Sequence, residues 1–417
     1  MKPAFSLEMY TNMIASMTAQ VAAQTDSHER RVRVVRSPYR VCPLGAHVDH
    51  QLGEVTGMAL DRALYLAYVP TDDGRFHVES HNFDGAVTFS LRELPDRPPG
   101  DWGDYLRGAV WALQRHHPIQ HGLHGIVHGS DKVGGLSSSA AVGIAYLLAL
   151  EEANGITCTP EQNIELDRII ENEYIGLNNG LLDQSTILLS RPNRLMYLDC
   201  ESGETDLFPC GSDDAIWIAV LHSGLRQQLS DTDYNQRVSE CEEAARVLLQ
   251  ARGEAPTDSP KLRHISRDAY ERHRTSLPSR LRRRADHFFS EQKRVRKGIQ
   301  CWQNGDLETM GELITQSGRS SVQNYECGNS YLRTAFEVLV ATPCILGARF
   351  SGAGFRGCSI GLMTAPPSDD LADDILGRYL EKHPDMDGEA TVYFCRPADG
   401  AGFVKNPPFR SESETPC

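Results

Sequence analysis

A chain of 417 residues is comfortable for two domains, and 40% apolar with 24% charged residues is an ordinary globular composition. A net charge of −14 excludes a general affinity for nucleic acid or anionic membrane, which require clustered positive charge. Eleven cysteines without a CxxC pair or a repeated spacing exclude a disulfide framework or zinc knuckle and point to a reduced, cytoplasmic setting.

The first twenty residues read as an amphipathic helix rather than a signal peptide. "RVRVVRSPYRV" alternates β-branched residues with arginines, as a half-exposed strand does, and "ALYLAYVP" and "RFHVESHNFDGAVTFSL" supply further strands. "DWGDYLRGAVWALQRHH" is helical, and "GLHGIVHGSD" is a short strand leading into glycines and serines at 134–139. Residues 140–153 form an apolar helix whose longest run, about 11 residues, falls short of the roughly 20 that cross a bilayer. "PEQNIELDRIIENEYIG" is a helix with Pro160 at its start, and "RLMYLD" a strand closing this half. The stretch from Glu201 to Asp214 is polar and turn-rich, which places a domain boundary near residue 205. The second half opens with a strand, "AIWIAVLHS", and continues with helices over 233–251, 281–303 and 306–318. "GARFSGAGFRGCSIGLM" then reads as strand, glycine turn, strand. The expected units are 1–205, 206–400 and a flexible tail over 401–417. Within "RLRRRADHFF", Arg282, Arg283 and Arg284 read as a solvated helix face.

Four stretches carry candidate chemistry. "VGGLSSSAAVG" places Gly134, Gly135, Leu136, Ser137, Ser138, Ser139 and Ala140 at the start of an apolar helix. Unpaired backbone N–H groups and the helix dipole there suit phosphate, although a plain glycine-serine cap has the same appearance. No GK[ST] follows the glycines, so the sequence is not a Walker A loop. "GLLDQ" holds Gly180 and Asp183, and "RFSGAGFRGC" holds Gly352 and Gly354. "RVCPLGAHVDHQ" contains His47, Asp49 and His50, a metal site, a catalytic cluster or a polar clamp. On an extended segment His47 and Asp49 share a side with His50 opposite; with no third ligand nearby, the metal reading is disfavoured. Cys42 and Cys358 read as small buried apolar residues.

In order and spacing these four stretches resemble the galactokinase branch of the GHMP small-molecule kinase superfamily, over about residues 32–400. The resemblance implies an α+β, two-domain fold: an N-terminal ribosomal S5-like domain and a C-terminal ferredoxin-like domain, with the active site in the cleft between them. It implies ATP- and Mg²⁺-dependent phosphorylation of an anomeric sugar hydroxyl by a monomer or weak homodimer. Asp183 then falls where the family's base or sugar-orienting carboxylate sits, and Arg40 where its partner cation sits. Such an arginine offsets charge developing on the transferring phosphoryl group. Ser138 or Ser139, with Glu171 twelve residues before Asp183, match Mg²⁺-ligating positions.

One departure bears on the substrate. Where the branch has a glutamate that reaches the sugar's 6-hydroxyl, this chain has Ala46. A glutamate within about 4 Å of a bound carboxylate would repel it by roughly 4 kcal/mol at an effective dielectric near 20. Alanine removes that clash, so the expected acceptor is the acidic hexose D-galacturonate, phosphorylated at C1. The alternatives are D-galactose, or a non-catalytic sugar- and ATP-binding regulator on the same fold. Tyr39, His47 and Arg226 are the candidate partners of the carboxylate, Asp49 of the ring hydroxyls, and Tyr234 of the sugar or phosphate.

Overall fold

The structure, a computed structural model, describes residues 7–129, 134–225, 233–255, 258–354 and 357–405. The strands of the first half are β1 (Arg33–Val41), β2 (Glu54–Thr71), β3 (Arg75–Ser80), β4 (Ala86–Ser90), β5 (Gly122–Gly129), β6 (Arg194–Asp199) and β7 (Thr205–Pro209). Those of the second are β8 (Trp217–His222), β9 (Gly347–Phe350), β10 (Cys358–Met363), β11 (Thr391–Cys395) and β12 (Gly402–Phe403). Helices α1 (Leu7–Gln24), α2 (Asp104–Leu113), α3 (Ser138–Asn154), α4 (Pro160–Ile169) and α5 (Leu182–Leu189) belong to the first half. The second adds α6 (Tyr234–Ala251), α7 (Arg267–His273), α8 (Ser279–Gln303), α9 (Leu307–Ser320), α10 (Ser330–Val340) and α11 (Asp369–Leu380).

Among the described residues, eight strands form one sheet in the order β12-β1-β2-β5-β3-β4, with β6 and β7 branching from β2. Four form a second sheet, β11-β8-β10-β9. This mixed, two-sheet architecture is the expected fold class. The chain of β2 is apolar along most of its 18 residues because it pairs with β1, β5 and β6 and is buried almost throughout. Alternation along β8 sends Ile218 and Val220 into a core shared with Val35, Leu66 and Ile144 of the first half. Ala219 and Leu221 face the other way, against a core that includes Leu332, Leu339 and Ile375. Both faces of the small sheet are thus covered, and one of them ties the halves together.

Several details depart from the sequence reading. The polar stretch near residue 205 contains β7, which pairs with β6, so the first sheet extends to Pro209. The chain also returns to that sheet: Ala398 N donates to Ala59 O, and β12 pairs with β1. The segment expected to be a flexible tail therefore begins with an edge strand, and residues 406–417 lie outside the described residues. Arg284 is not on a solvated face. It is 1% exposed, and its guanidinium donates to Glu240, Glu326 and the Asn324 carbonyl at 2.6–2.7 Å. A buried arginine is tolerable when its donors are matched in this way.

Candidate active site

Helix α3 begins at Ser138 behind a glycine turn. Gly135 has φ of +89°, and an added Cβ there would lie 2.9 Å from the Ser351 carbonyl. Gly352, at φ +71°, packs its backbone against Gly135, so the glycine turn between β9 and β10 seats directly on the loop before α3. Ser137, the residue preceding the helix, is left-handed (φ 57°, ψ 48°) and does not cap it. The first N–H groups of α3 consequently have no side-chain acceptor from their cap, the arrangement that receives phosphate oxygens.

Ser137 turns its hydroxyl to Asp183 instead, donating to Oδ2. Asp183 lies in the first turn of α5, and its Oδ1 accepts Arg40 Nε at 2.7 Å and Nη2 at 2.5 Å. Arg40 is fixed from β1, where its backbone N–H donates to the Leu136 carbonyl at 3.1 Å. Its remaining nitrogen, Nη1, is buried without an acceptor. The expected aspartate–arginine pair is therefore assembled from positions 143 residues apart, with one buried donor still to be matched.

Beyond Ile169 the helix α4 widens into a π-helical turn, Ile170–Ile175, which ends on Gly176 at φ 87°. Extra-wide turns of this kind cluster at functional sites because they re-aim one side chain. Here that side chain is Glu171, fully buried, with Oε2 accepting Asn179 Nδ2 at 2.8 Å and Oε1 left without a partner. Burial, with Asp183 nearby, pushes its carboxyl up to about 7, and Ser139 lies beside it. An orphaned carboxylate oxygen next to a serine suits a hard cation that takes its other ligands from phosphate and water. Among the described residues no group of three acidic, histidine or cysteine side chains forms a complete metal cage.

The same cavity is also lined by Cys42, Ala46, His47, Asp49, Gly180, Tyr234 and Arg349. Its floor is not the extended segment expected from sequence. His47 is left-handed at φ 59°, and Asp49–Gln51 form a short 3-10 turn. That winding, not strand alternation, keeps His47 and Asp49 on the cavity while His50 is buried against Tyr325 Oη at 3.1 Å. His47 stacks on Tyr325 with centroids 4.2 Å apart, and burial holds its imidazole well below the usual range, hence neutral. The Asp49 carboxyl is pushed up to about 6 by burial and by Asp183. Its oxygens lie where a Cβ on Gly180 would fall, which explains the glycine. Tyr325 comes from a second π-helical turn, Ser321–Tyr325.

The expected residues divide clearly. Arg40, Ala46, His47, Asp49, Gly134, Gly135, Ser137, Ser138, Ser139, Gly180, Asp183, Tyr234 and Gly352 line one cavity. Glu171 lies behind it, against Asn179, which does line it. Tyr39 is a correction: beside Arg40 on a strand it points to the other face, and it is 1% exposed in the core. Leu136 and Ala140 also send their side chains into the core, and Gly354 packs on Cys327 and Phe350. Arg226, and Arg356 of the third motif, lie outside the described residues. Sequence reasoning assigns no role to Asn179 or Arg349; Cys42 is buried in the core as expected and also lines the cavity. Arg349 had a signal, being the one charge in an apolar strand, "GARF".

Residues 104–191 match the family GHMP kinases N terminal domain. The chain is 42% identical to the galacturonokinase of Arabidopsis thaliana, over 93% of this chain and 97% of that protein. It is 31% identical to a galactokinase of Levilactobacillus brevis, over 88% of this chain and 94% of the relative. The solved galactokinase of Lactococcus lactis complexed with galactose superposes with a TM-score of 0.85 at 25% identity, covering 94% of this chain and all of that one. The Methanococcus jannaschii mevalonate kinase shares the fold alone, at TM-score 0.60 and 15% identity over 88% of this chain and 98% of that one.

Proposed function

Because this chain belongs to the GHMP kinase family and is a sugar kinase within it, we propose that it transfers the γ-phosphoryl group of ATP to O1 of D-galacturonate. The products are α-D-galacturonate 1-phosphate and ADP. One observation carries the choice of sugar: the cavity that holds the Asp183–Arg40 pair also carries Ala46, a small neutral residue, beside neutral His47. A sugar lying between them presents C1 to Asp183 and C6 to a wall from which a repelling carboxylate is missing.

In this reading Asp183 accepts the O1 proton as O1 attacks the γ-phosphorus, and the bond from that phosphorus to the bridging oxygen of ADP breaks. Arg40 stays paired with Asp183 and presents Nη1 to the charge spreading over the transferring oxygens. The glycine loop and the first turn of α3 cradle the phosphates. Ser139 or Ser138 and Glu171 would hold Mg²⁺, which neutralises phosphate charge when bound. Asp49 accepts hydrogen bonds from ring hydroxyls, and the Gly180 backbone allows the ring to approach.

The test is ADP release by the purified protein with galacturonate, glucuronate and galactose side by side. The highest kcat/KM is expected for galacturonate. A preference for galactose would sink the substrate assignment while leaving the kinase standing.

A further inference from the structure

We propose that Arg349 is the residue that binds the substrate's carboxylate and so sets the preference for an acidic hexose. The inference rests on the uronate reading above and names a group that the reading leaves open.

Arg349 lies on β9, is 1% exposed, and lines the cavity together with Cys42, Ala46 and His47. Its guanidinium is only partly matched. Nε donates to the Phe350 carbonyl at 2.8 Å and Nη1 to Ser317 Oγ at 3.1 Å. Among the described residues Nη2 has no acceptor, and the one carboxylate in ion-pair range is Glu291, at 3.9 Å.

Glu291 is already committed. Its Oε2 takes Arg294 Nε at 2.7 Å and Nη2 at 2.6 Å, and its Oε1 takes the Gly45 N–H at 2.8 Å and Ser317 Oγ at 2.6 Å. Two arginines thus share one carboxylate, and the better contacts belong to Arg294. A buried cation whose charge is only partly offset is costly, and an anionic partner relieves that cost.

Nothing else on this wall supplies the missing charge. His287 holds the Ala46 carbonyl at 2.9 Å, and burial keeps both His287 and His47 neutral. The Cys42 and Cys327 thiols are pushed up to about 12 by burial and stay protonated. A carboxylate entering beside Ala46 meets a guanidinium with one free arm, whose one carboxylate in ion-pair range is already held by Arg294.

The test compares D-galacturonate with its C6 amide, a neutral group of the same shape. For the unaltered protein kcat/KM is expected to favour the acid by about thirtyfold or more, the span of a charge-assisted hydrogen bond. In Arg349→Gln that ratio is expected to fall to about three or less, with Arg349→Lys between, because lysine keeps the charge and loses the fork. A merely structural arginine would lower both substrates together and leave the ratio unchanged, which overturns the proposal. The unaltered protein decides the matter even if the variants do not fold: an amide used as well as the acid shows that no cation pairs with the carboxylate. If the unaltered protein prefers galactose to galacturonate, the substrate reading fails and this inference with it. If it prefers galacturonate and Arg349→Gln keeps the acid-over-amide ratio, only the role of Arg349 fails.

Discussion

At the end of the cavity proposed for phosphate most residues come from one stretch, 134–183, joined by Arg40 of β1 and by Gly352 and Ala353. At the sugar end, residues 42–49 meet Tyr234 and Arg349, backed by His287, Glu291 and Tyr325. The first region is a loop, a helix start and a wide turn close together in the chain, pinned from afar by Arg40 on Asp183 and by Gly352 on Gly135. The second is held by hydrogen bonds that span more than 240 positions, such as His287 Nε2 to the Ala46 carbonyl and Gly45 N–H to Glu291. Each end spends one π-helical turn, on Glu171 and on Tyr325, to aim a buried side chain. Machinery drawn mostly from one stretch for the shared chemistry and long-range packing for the acceptor allow the acceptor to change without disturbing phosphoryl transfer.

The most severe way to probe this division is at its centre. Asp183→Asn keeps the size of the side chain and removes the proton acceptor, so kcat is expected to fall by about a thousandfold. The fall should be the same for galacturonate and for any slow neutral hexose, because in the proposed mechanism Asp183 faces C1 of either. Single-turnover ADP release measures it. A loss confined to one sugar would mean that the two ends are not separable.

The opposite pattern is expected at Ala46. Ala46→Glu places a carboxylate within reach of the substrate's own, a repulsion of roughly 4 kcal/mol at an effective dielectric near 20. It also offers Arg349 an internal partner in place of the substrate. The kcat/KM for galacturonate should drop by at least about tenfold, with galactose gaining relative to it. Kinetics on the two sugars with one preparation decide the point, since equal losses on both would mark a packing defect.

What was legible in the sequence follows the same line. The glycine-serine loop is legible from its own residues, Glu171 and Asp183 only through the family resemblance, and the structure brings all three together around the start of α3. Arg349 is not legible because its role depends on Glu291 of α8 lying within reach and being taken by Arg294, which leaves no local pattern. Arg284 failed for a related reason: a run of arginines looks solvated until Glu240 and Glu326 arrive from other helices to bury one of them. Tyr39 sits at a register irregularity of β1 between Pro38 and Arg40, and its burial in the core is set by packing that the sequence pattern does not show. The turn Asp49–Gln51 was read as extended because nothing in "GAHVDH" announces a left-handed histidine.

The smallest expected effect is a pH dependence at Asp49, the point where the two ends touch. Burial and the Asp183 carboxylate push its carboxyl up to about 6, so it takes up a proton as pH falls through that value. The ionised form accepts the ring hydroxyls, and kcat/KM at pH 5.5 should be about one quarter of its value at pH 7, measured with saturating Mg²⁺. Stability runs the other way. A carboxyl whose folded value lies above its unfolded one favours the native state at low pH, and that contribution is lost as pH rises through about 6. Asp49→Asn should therefore melt higher than the unaltered protein at pH 7 and at nearly the same temperature at pH 4. Its weaker galacturonate turnover should also lack the step near pH 6. If the step persists in Asp49→Asn, the titrating group belongs to the phosphate end, and the two regions are coupled through Asp183 more tightly than their separate construction implies.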